Sequence, residues 1–186
     1  MGIDDDYDDE KHYYFNDKEK GTSFFVKQVE QGHKWTKYIA EIFNNNGVAC
    51  RVEEIEIAKT VGQRKKFYNE QDIILTKMPG CIETKSQSRY FTDDPQSWPF
   101  RKTIVDTKLG WSRKSPKPLA VVLVSIQTGK SLVIPRSTEN QWWEENLYDN
   151  FRKINDTFLC ASTDVLRPMD DLIDFLVRRQ HKYSNK

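Results

Sequence analysis

The sequence is poor in the residues that most directly carry metal and nucleophile chemistry. Its three Cys stand at positions 50, 81 and 160, with no Cys-x-x-Cys pair. That spacing argues against a zinc site and a disulfide framework, and reduced thiols are the expectation. His12, His33 and His181 are scattered. No His-Glu-x-x-His, no Gly-x-Ser-x-Gly and no Ser-His-Asp order is present, so zinc-protease and serine-hydrolase chemistry lack their carriers. Each His is expected at the surface. No apolar run approaches the roughly 18 residues of a membrane span, and the chain starts acidic rather than signal-like. A soluble, cytoplasmic protein without a membrane partner is expected. A phosphate-binding loop is also missing. Gly129-Lys130-Ser131 has the ending of one, but the required earlier Gly is Val124, and Leu132-Val133-Ile134 reads as strand rather than helix. A hairpin turn is expected there.

A charge excess is lacking too, with 29 Lys and Arg against 28 Asp and Glu. The balance hides a segregation. Asp4, Asp5, Asp6, Asp8, Asp9 and Glu10 crowd the start, and the remaining chain is clearly basic. The acidic run reads as a solvated tail over residues 1–22, with a weaker role as a competitor of phosphate for the basic surface. One domain is expected over residues 23–186. Five Trp, eight Tyr and ten Phe supply enough apolar material for a core.

Hydrophobic periodicity then places the elements. Trp35, Tyr38, Ile39, Ile42 and Phe43 form one face of a helix over 34–46, stopped by Asn44-Asn45-Asn46-Gly47. Strands are expected at Val48–Ile57, Ile73–Leu75, Cys81–Lys85, Thr103–Asp106 and Ser131–Ile134. Leu119–Ser125 is continuously apolar, as a strand buried on both faces would be. Met78-Pro79-Gly80 is a turn, and Pro95 to Pro99 a loop. Trp142–Ile154 and Met169–Arg179 read as helices, with the Trp142-Trp143 pair serving packing. The sum is a mixed α/β domain with a central sheet covered by helices.

The chemistry concentrates between Asp72 and Lys85. Glu83 and Lys85 are two apart on an expected strand, so they share a face. A plain ion pair is the simplest reading, worth about 0–1 kcal/mol if exposed. Asp72 adds to it. A hairpin centred between Lys77 and Met78 sets position 73 opposite 82 and Asp72 opposite Glu83, with opposed Cβ atoms roughly 5 Å apart. A turn centred on Pro79-Gly80 pairs Asp72 with Gln87 instead. Two carboxylates that close repel unless a cation lies between them. A hard divalent ion such as magnesium suits oxygen ligands, and a neighbouring Lys85 can stabilise a phosphate or position a water.

Asp72, ten residues, then Glu83-Thr84-Lys85 resembles the PD-(D/E)XK nuclease superfamily, which includes restriction endonucleases, archaeal Holliday-junction resolvases and phage exonucleases. Members place a helix before the motif and carry the Asp and the Glu-x-Lys on strands of a sheet. Gln71 stands where the motif has Pro. The resemblance covers roughly residues 24–135 and implies a restriction-endonuclease-like α/β core, with a central mixed sheet flanked by helices. It implies an Mg2+- or Mn2+-dependent deoxyribonuclease, endonucleolytic in expectation. Asp72 and Glu83 would bind metal, with the carbonyl of Thr84 as a further ligand and Lys85 beside them. Glu41 is similar to the first-helix acid of some members; a surface ion pair with Lys37, four residues earlier, is the alternative. Small nucleases of this kind often act as homodimers, and size and tail suggest a phage or mobile-element protein. A junction resolvase, or a non-catalytic DNA-binding or assembly protein keeping the fold, are the alternative functions.

Cations interleaved with aromatics flank the motif. Arg64, Lys65 and Lys66 precede it; Arg89, Arg101, Lys102, Arg113 and Lys114 follow among Tyr, Phe and Trp. Such sets meet phosphates and bases of DNA. Gln87 shares the face of Glu83 and Lys85 and could touch DNA or a metal-bound water. For any single one of these residues, a solvated surface position is the plainer account.

Overall fold

The computed structural model describes residues 18–54, 71–149 and 154–185. Helix α1 (Lys18–Asn45) carries the expected stripe but starts well ahead of residue 34. Ile39 and Phe43 are fully buried, while Tyr38 is exposed at the flank and bonds the Gly129 carbonyl through its hydroxyl. Gly47, at φ 82°, turns the chain out of the helix.

Strands β1 (Cys50–Val52), β2 (Ile73–Leu75) and β3 (Cys81–Gln87) follow as an antiparallel meander. The strand expected at Val48–Ile57 is shorter, and residues 55–57 lie outside the described residues. The chain then leaves the sheet to form β4 (Lys102–Thr107) and the short helix α2 (Lys108–Arg113). It returns as β5 (Ala120–Ser125), parallel to β3. Parallel pairing requires such a crossover. All six residues of β5 are buried, as its unbroken apolar run predicts. A turn at Gly129, φ 68°, leads to β6 (Ser131–Pro135), so the Gly-Lys-Ser segment is a hairpin.

Residues Trp142–Ile154 correct the helical expectation. They hold β7 (Trp143–Asp149), which pairs antiparallel with β8 (Ile154–Ser162) from Trp143–Cys160 to Asp149–Ile154. The Glu and Leu residues of this stretch suit helices, but that preference is weak, and ladder formation with a neighbouring strand overrides it. Trp142 packs edge-on against Trp111, whereas Trp143 stays partly exposed on β7. The chain closes with β9 (Arg167–Pro168) and helix α3 (Met169–Ser184).

The described residues form two sheets: a mixed six-stranded one in the order β1-β2-β3-β5-β6-β9, and a three-stranded one in the order β4-β8-β7. The mixed α/β architecture with a helix-flanked sheet is therefore present. Helices α1 and α3 cover one face through Ile39, Phe43, Leu172 and Leu176, against Val122, Val124 and Val133. Val121, Leu123, Leu132 and Ile134 face the other way, into a second core with Val105, Trp111 and Ala161. That second cover is a sheet where further helices were expected. Among the described residues, no helix is long and apolar enough to cross a membrane.

Candidate functional site

The hairpin between β2 and β3 decides whether the motif residues meet. Its register is Ile73 opposite Ile82 and Ile74 opposite Cys81. Leu75 N–H donates to Gly80 O at 3.1 Å. This is the register that brings Asp72 to Glu83 and excludes the pairing with Gln87. The turn is pinned by Thr76 N–H donating to Ala49 O at 2.9 Å, and by Gly80 at φ 138°. The conformation favours glycine, and a Cβ there would lie 2.8 Å from Leu119 Cδ1, which would have to shift.

Asp72 sits one residue before β2. The ladder has ended there, and the carboxylate takes the place of a strand carbonyl. Thr84 N–H donates to Asp72 Oδ2 at 2.7 Å, and Thr84 Oγ1 donates to the same oxygen at 3.0 Å. Thr84 Oγ1 also lies 2.5 Å from Thr36 Oγ1 of α1. A hydroxyl has one proton. With Thr84's proton on Asp72, the proton between the threonines comes from Thr36, for which the Gly32 carbonyl at 3.2 Å competes as acceptor. Burial, followed by the nearby charge of Glu83, pushes the Asp72 carboxyl above its usual range; the Thr84 bonds and Lys85 oppose that rise.

Glu83 and Lys85 do share a face. In the parallel ladder they stand beside Val121 and Leu123, so they point into the side occupied by the second sheet. There they meet two residues from the crossover. Lys85 Nζ lies 3.5 Å from Glu83 Oε1 and 3.5 Å from Asp106 Oδ1. Lys114 Nζ lies 2.9 Å from Glu83 Oε2 and 3.5 Å from Asp106 Oδ2. The four side chains form a closed square of alternating charge, with Lys114 only 9% exposed. Burial disfavours the Lys85 charge, but Asp106 and Glu83 more than offset it, and its pKa is raised.

Asp106 is absent from any sequence motif. The ladder of β4 with β8 slips between Ile104 and Asp106, as a bulge does, and bulges re-aim side chains. Asp106 Oδ1 also accepts from Thr107 N–H at 2.8 Å. Thr107 caps α2 by accepting from Gly110 N–H, and α2 in turn delivers Lys114 as its C-terminal cap residue.

The remaining expected site residues are dispersed. Glu41 is exposed on α1, and α1 packs on the sheet face opposite Glu83 and Lys85; its expected partner Lys37 pairs with Glu54 instead. Gln87 ends β3, with its carbonyl accepting from Ile126 N–H. Lys102 is held by Glu145 across to β7. Arg89 lies over the Phe100 ring at 5.5 Å, and Arg101 and Arg113 are exposed. Arg64, Lys65 and Lys66 lie outside the described residues. Lys114, one of the cations expected to meet DNA, pairs with Glu83 and Asp106 in the charged square. His33 is not at the surface: its side chain is 13% exposed, 3.6 Å from Glu54.

Hard oxygen donors are what this corner offers a cation: the carboxylates of Asp72, Glu83 and Asp106. Among the described residues, no three His, Cys, Asp or Glu side chains are grouped closely enough to hold a metal ion, and lysines hold both oxygens of Glu83. No protein-family model, curated protein or solved structure matches this chain.

Proposed function

We propose that the protein is a divalent-metal-dependent deoxyribonuclease with a restriction-endonuclease-like core. The observation that carries this reading is the β2–β3 register, which sets Asp72 beside Glu83-Thr84-Lys85. The order of elements supports it as well: a helix, then a sheet in which the Asp immediately precedes one strand and the next strand bears the Glu-x-Lys.

The donor chemistry fits a hard cation such as Mg2+ or Mn2+. Burial raises the Asp72 carboxyl first and repulsion from Glu83 second, and the second of these is what such an ion would relieve. Asp72 and Glu83 would hold it, with the Thr84 carbonyl as the resemblance implies. When bound, the ion polarises a phosphoryl oxygen and acidifies water. Lys85 keeps its charge and lies beside Glu83, where a phosphate gaining negative charge would need it. Lys114 would have to leave Glu83 to free that carboxylate. Thr36 and Thr84 fix the Asp72 rotamer from behind.

Purified protein is expected to cut at least one of supercoiled, linear, branched and single-stranded DNA with Mg2+ or Mn2+. Cleavage should fall by about 10²-fold or more in Lys85→Ala, the scale of losing one electrostatic donor. Full activity in that variant, or no cleavage of any substrate by the wild type, sinks the reading.

One observation favours a second reading, a DNA-binding or assembly protein that keeps the fold without cutting. The square of Glu83, Asp106, Lys85 and Lys114 is charge-balanced without a metal. Calorimetry separates the two. A Mn2+ site lost in Asp72→Ala supports the nuclease, and no Mn2+ binding supports the second reading.

A further inference from the structure

On the opposite side of the central sheet from Glu83 and Lys85, a groove of about 540 Å³ opens between the end of β6, β9 and α3. Arg136, Arg167, Arg178 and Arg179 line it around the ring of Phe175. Asp171 and Asp174 also line it and leave cations in the majority. Four guanidiniums in one groove repel one another, so the arrangement calls for an anion.

How the arginines are held sharpens this. Arg167 Nη1 donates to the Asp164 and Leu166 carbonyls, each at 2.7 Å. Arg178 Nε donates to Asp174 O at 3.1 Å, and Arg136 Nη1 to Lys117 O at 3.3 Å. Carbonyls orient these groups without cancelling their charge. Among the described residues, none of the four arginines lies within 4.0 Å of a carboxylate oxygen. Arg179 stacks over Phe175 and Tyr183, at 6.0 and 5.7 Å, and among the described residues its buried Nε has no hydrogen-bond partner. Phe175 is a large apolar ring left 43% exposed within this cationic setting.

We propose that this groove binds a nucleotide unit, phosphate on the arginines and base on Phe175, presented by single-stranded nucleic acid or as a free nucleotide. Guanidinium forks match phosphate oxygens two at a time. An exposed aromatic ring beside them suits a base, whose flat face stacks whatever its identity. The volume falls in the range of small-ligand sites. An acidic peptide would use the arginines but has no need of the ring. The site stands apart from the charged square and does not depend on that square being catalytic.

The test is fluorescence anisotropy of labelled oligo(dT) on the full chain in EDTA, where metal-dependent cleavage is off. The double variant R178Q/R179Q and, separately, F175A are each expected to weaken binding at least tenfold. Lys182→Gln, exposed on the same helix, should stay within twofold. The slope of log affinity against log salt should flatten by about 0.7 in R178Q/R179Q if the two arginines share one phosphate and by about 1.4 if they meet two. Competition by dTMP assigns the free nucleotide as a ligand; its failure to compete, with oligo(dT) still bound, assigns the strand. Unchanged affinity in both F175A and R178Q/R179Q overturns the proposal. So does displacement by poly-glutamate as effective as by unlabelled oligo(dT), with F175A unaffected.

Discussion

Asp72 is the residue whose chemistry is most constrained. Its carboxyl is pushed up by burial and by Glu83, so the folded state holds that proton more tightly than the unfolded chain does. Stability then falls as pH rises from the ordinary carboxylate range through the raised folded value, and the loss is complete above it. Asp72→Asn keeps an oxygen for the Thr84 N–H and removes the ionisation. In metal-free buffer at pH 7 its melting temperature is expected to equal or exceed the wild type's, and the pH dependence just described should disappear. A clear loss of melting temperature in Asp72→Asn at pH 7 counts against this account. Lys114 gives the opposite case. Lys114→Gln leaves Glu83 and Asp106 with Lys85 as their one cation among the described residues, and breaking a buried pair costs about 3–5 kcal/mol. Denaturant unfolding in EDTA should show that loss. On the proposed function, Mg2+ or Mn2+ should restore much of it, and no recovery would argue against a metal at Glu83.

At the scale of elements, the site depends on a turn and on a clasp. Gly80 closes the β2–β3 hairpin at a backbone angle that an L side chain rarely adopts, against Leu119. Gly80→Ala is expected to destabilise by about 1–3 kcal/mol and to weaken any Mn2+ binding, because the register that sets Asp72 against Glu83 begins there. Normal stability together with normal Mn2+ affinity would show that the turn has no such role. Gln180 is 8% exposed on α3. Its Nε2 donates to Gly47 O at 3.0 Å, and its Oε1 accepts from Ala49 N–H at 2.9 Å. It ties α3 to the turn between α1 and β1. Gln180→Ala leaves a buried donor and acceptor without partners, at about 1–3 kcal/mol. Guanidinium melts should register this without a change in Mn2+ affinity.

For the whole molecule, charge placement matters more than the net value of +1. Six acids between positions 4 and 10 oppose a basic remainder. Replacing those six with Ser and Asn is expected to tighten oligo(dT) binding several-fold at low salt. The gain should vanish near 1 M salt, where the Debye length is about 3 Å. Equal affinity at low salt would show that the acidic run does not compete with phosphate.

Elements with a strong, local pattern could be read from residue order alone. The α1 stripe ending at Phe43, the all-buried β5, the Gly129 turn and α3 were legible because a period of 3.6 or an unbroken apolar run leaves little choice of structure. Glu83 and Lys85 on one face followed from strand geometry alone. Tertiary structure decided the rest. β7 is a strand because β8 pairs with it, a partner that local propensity does not encode. Of two open registers, the hairpin took the one that sets Ile73 on Ile82 and buries both; a one-residue slip would turn such side chains to the other face. Asp106 and Lys114 joined Glu83 and Lys85 because a bulge and a short helix of the crossover aim them back at β3. No spacing rule carries that information, since the contact depends on how two sheets lie on a shared core.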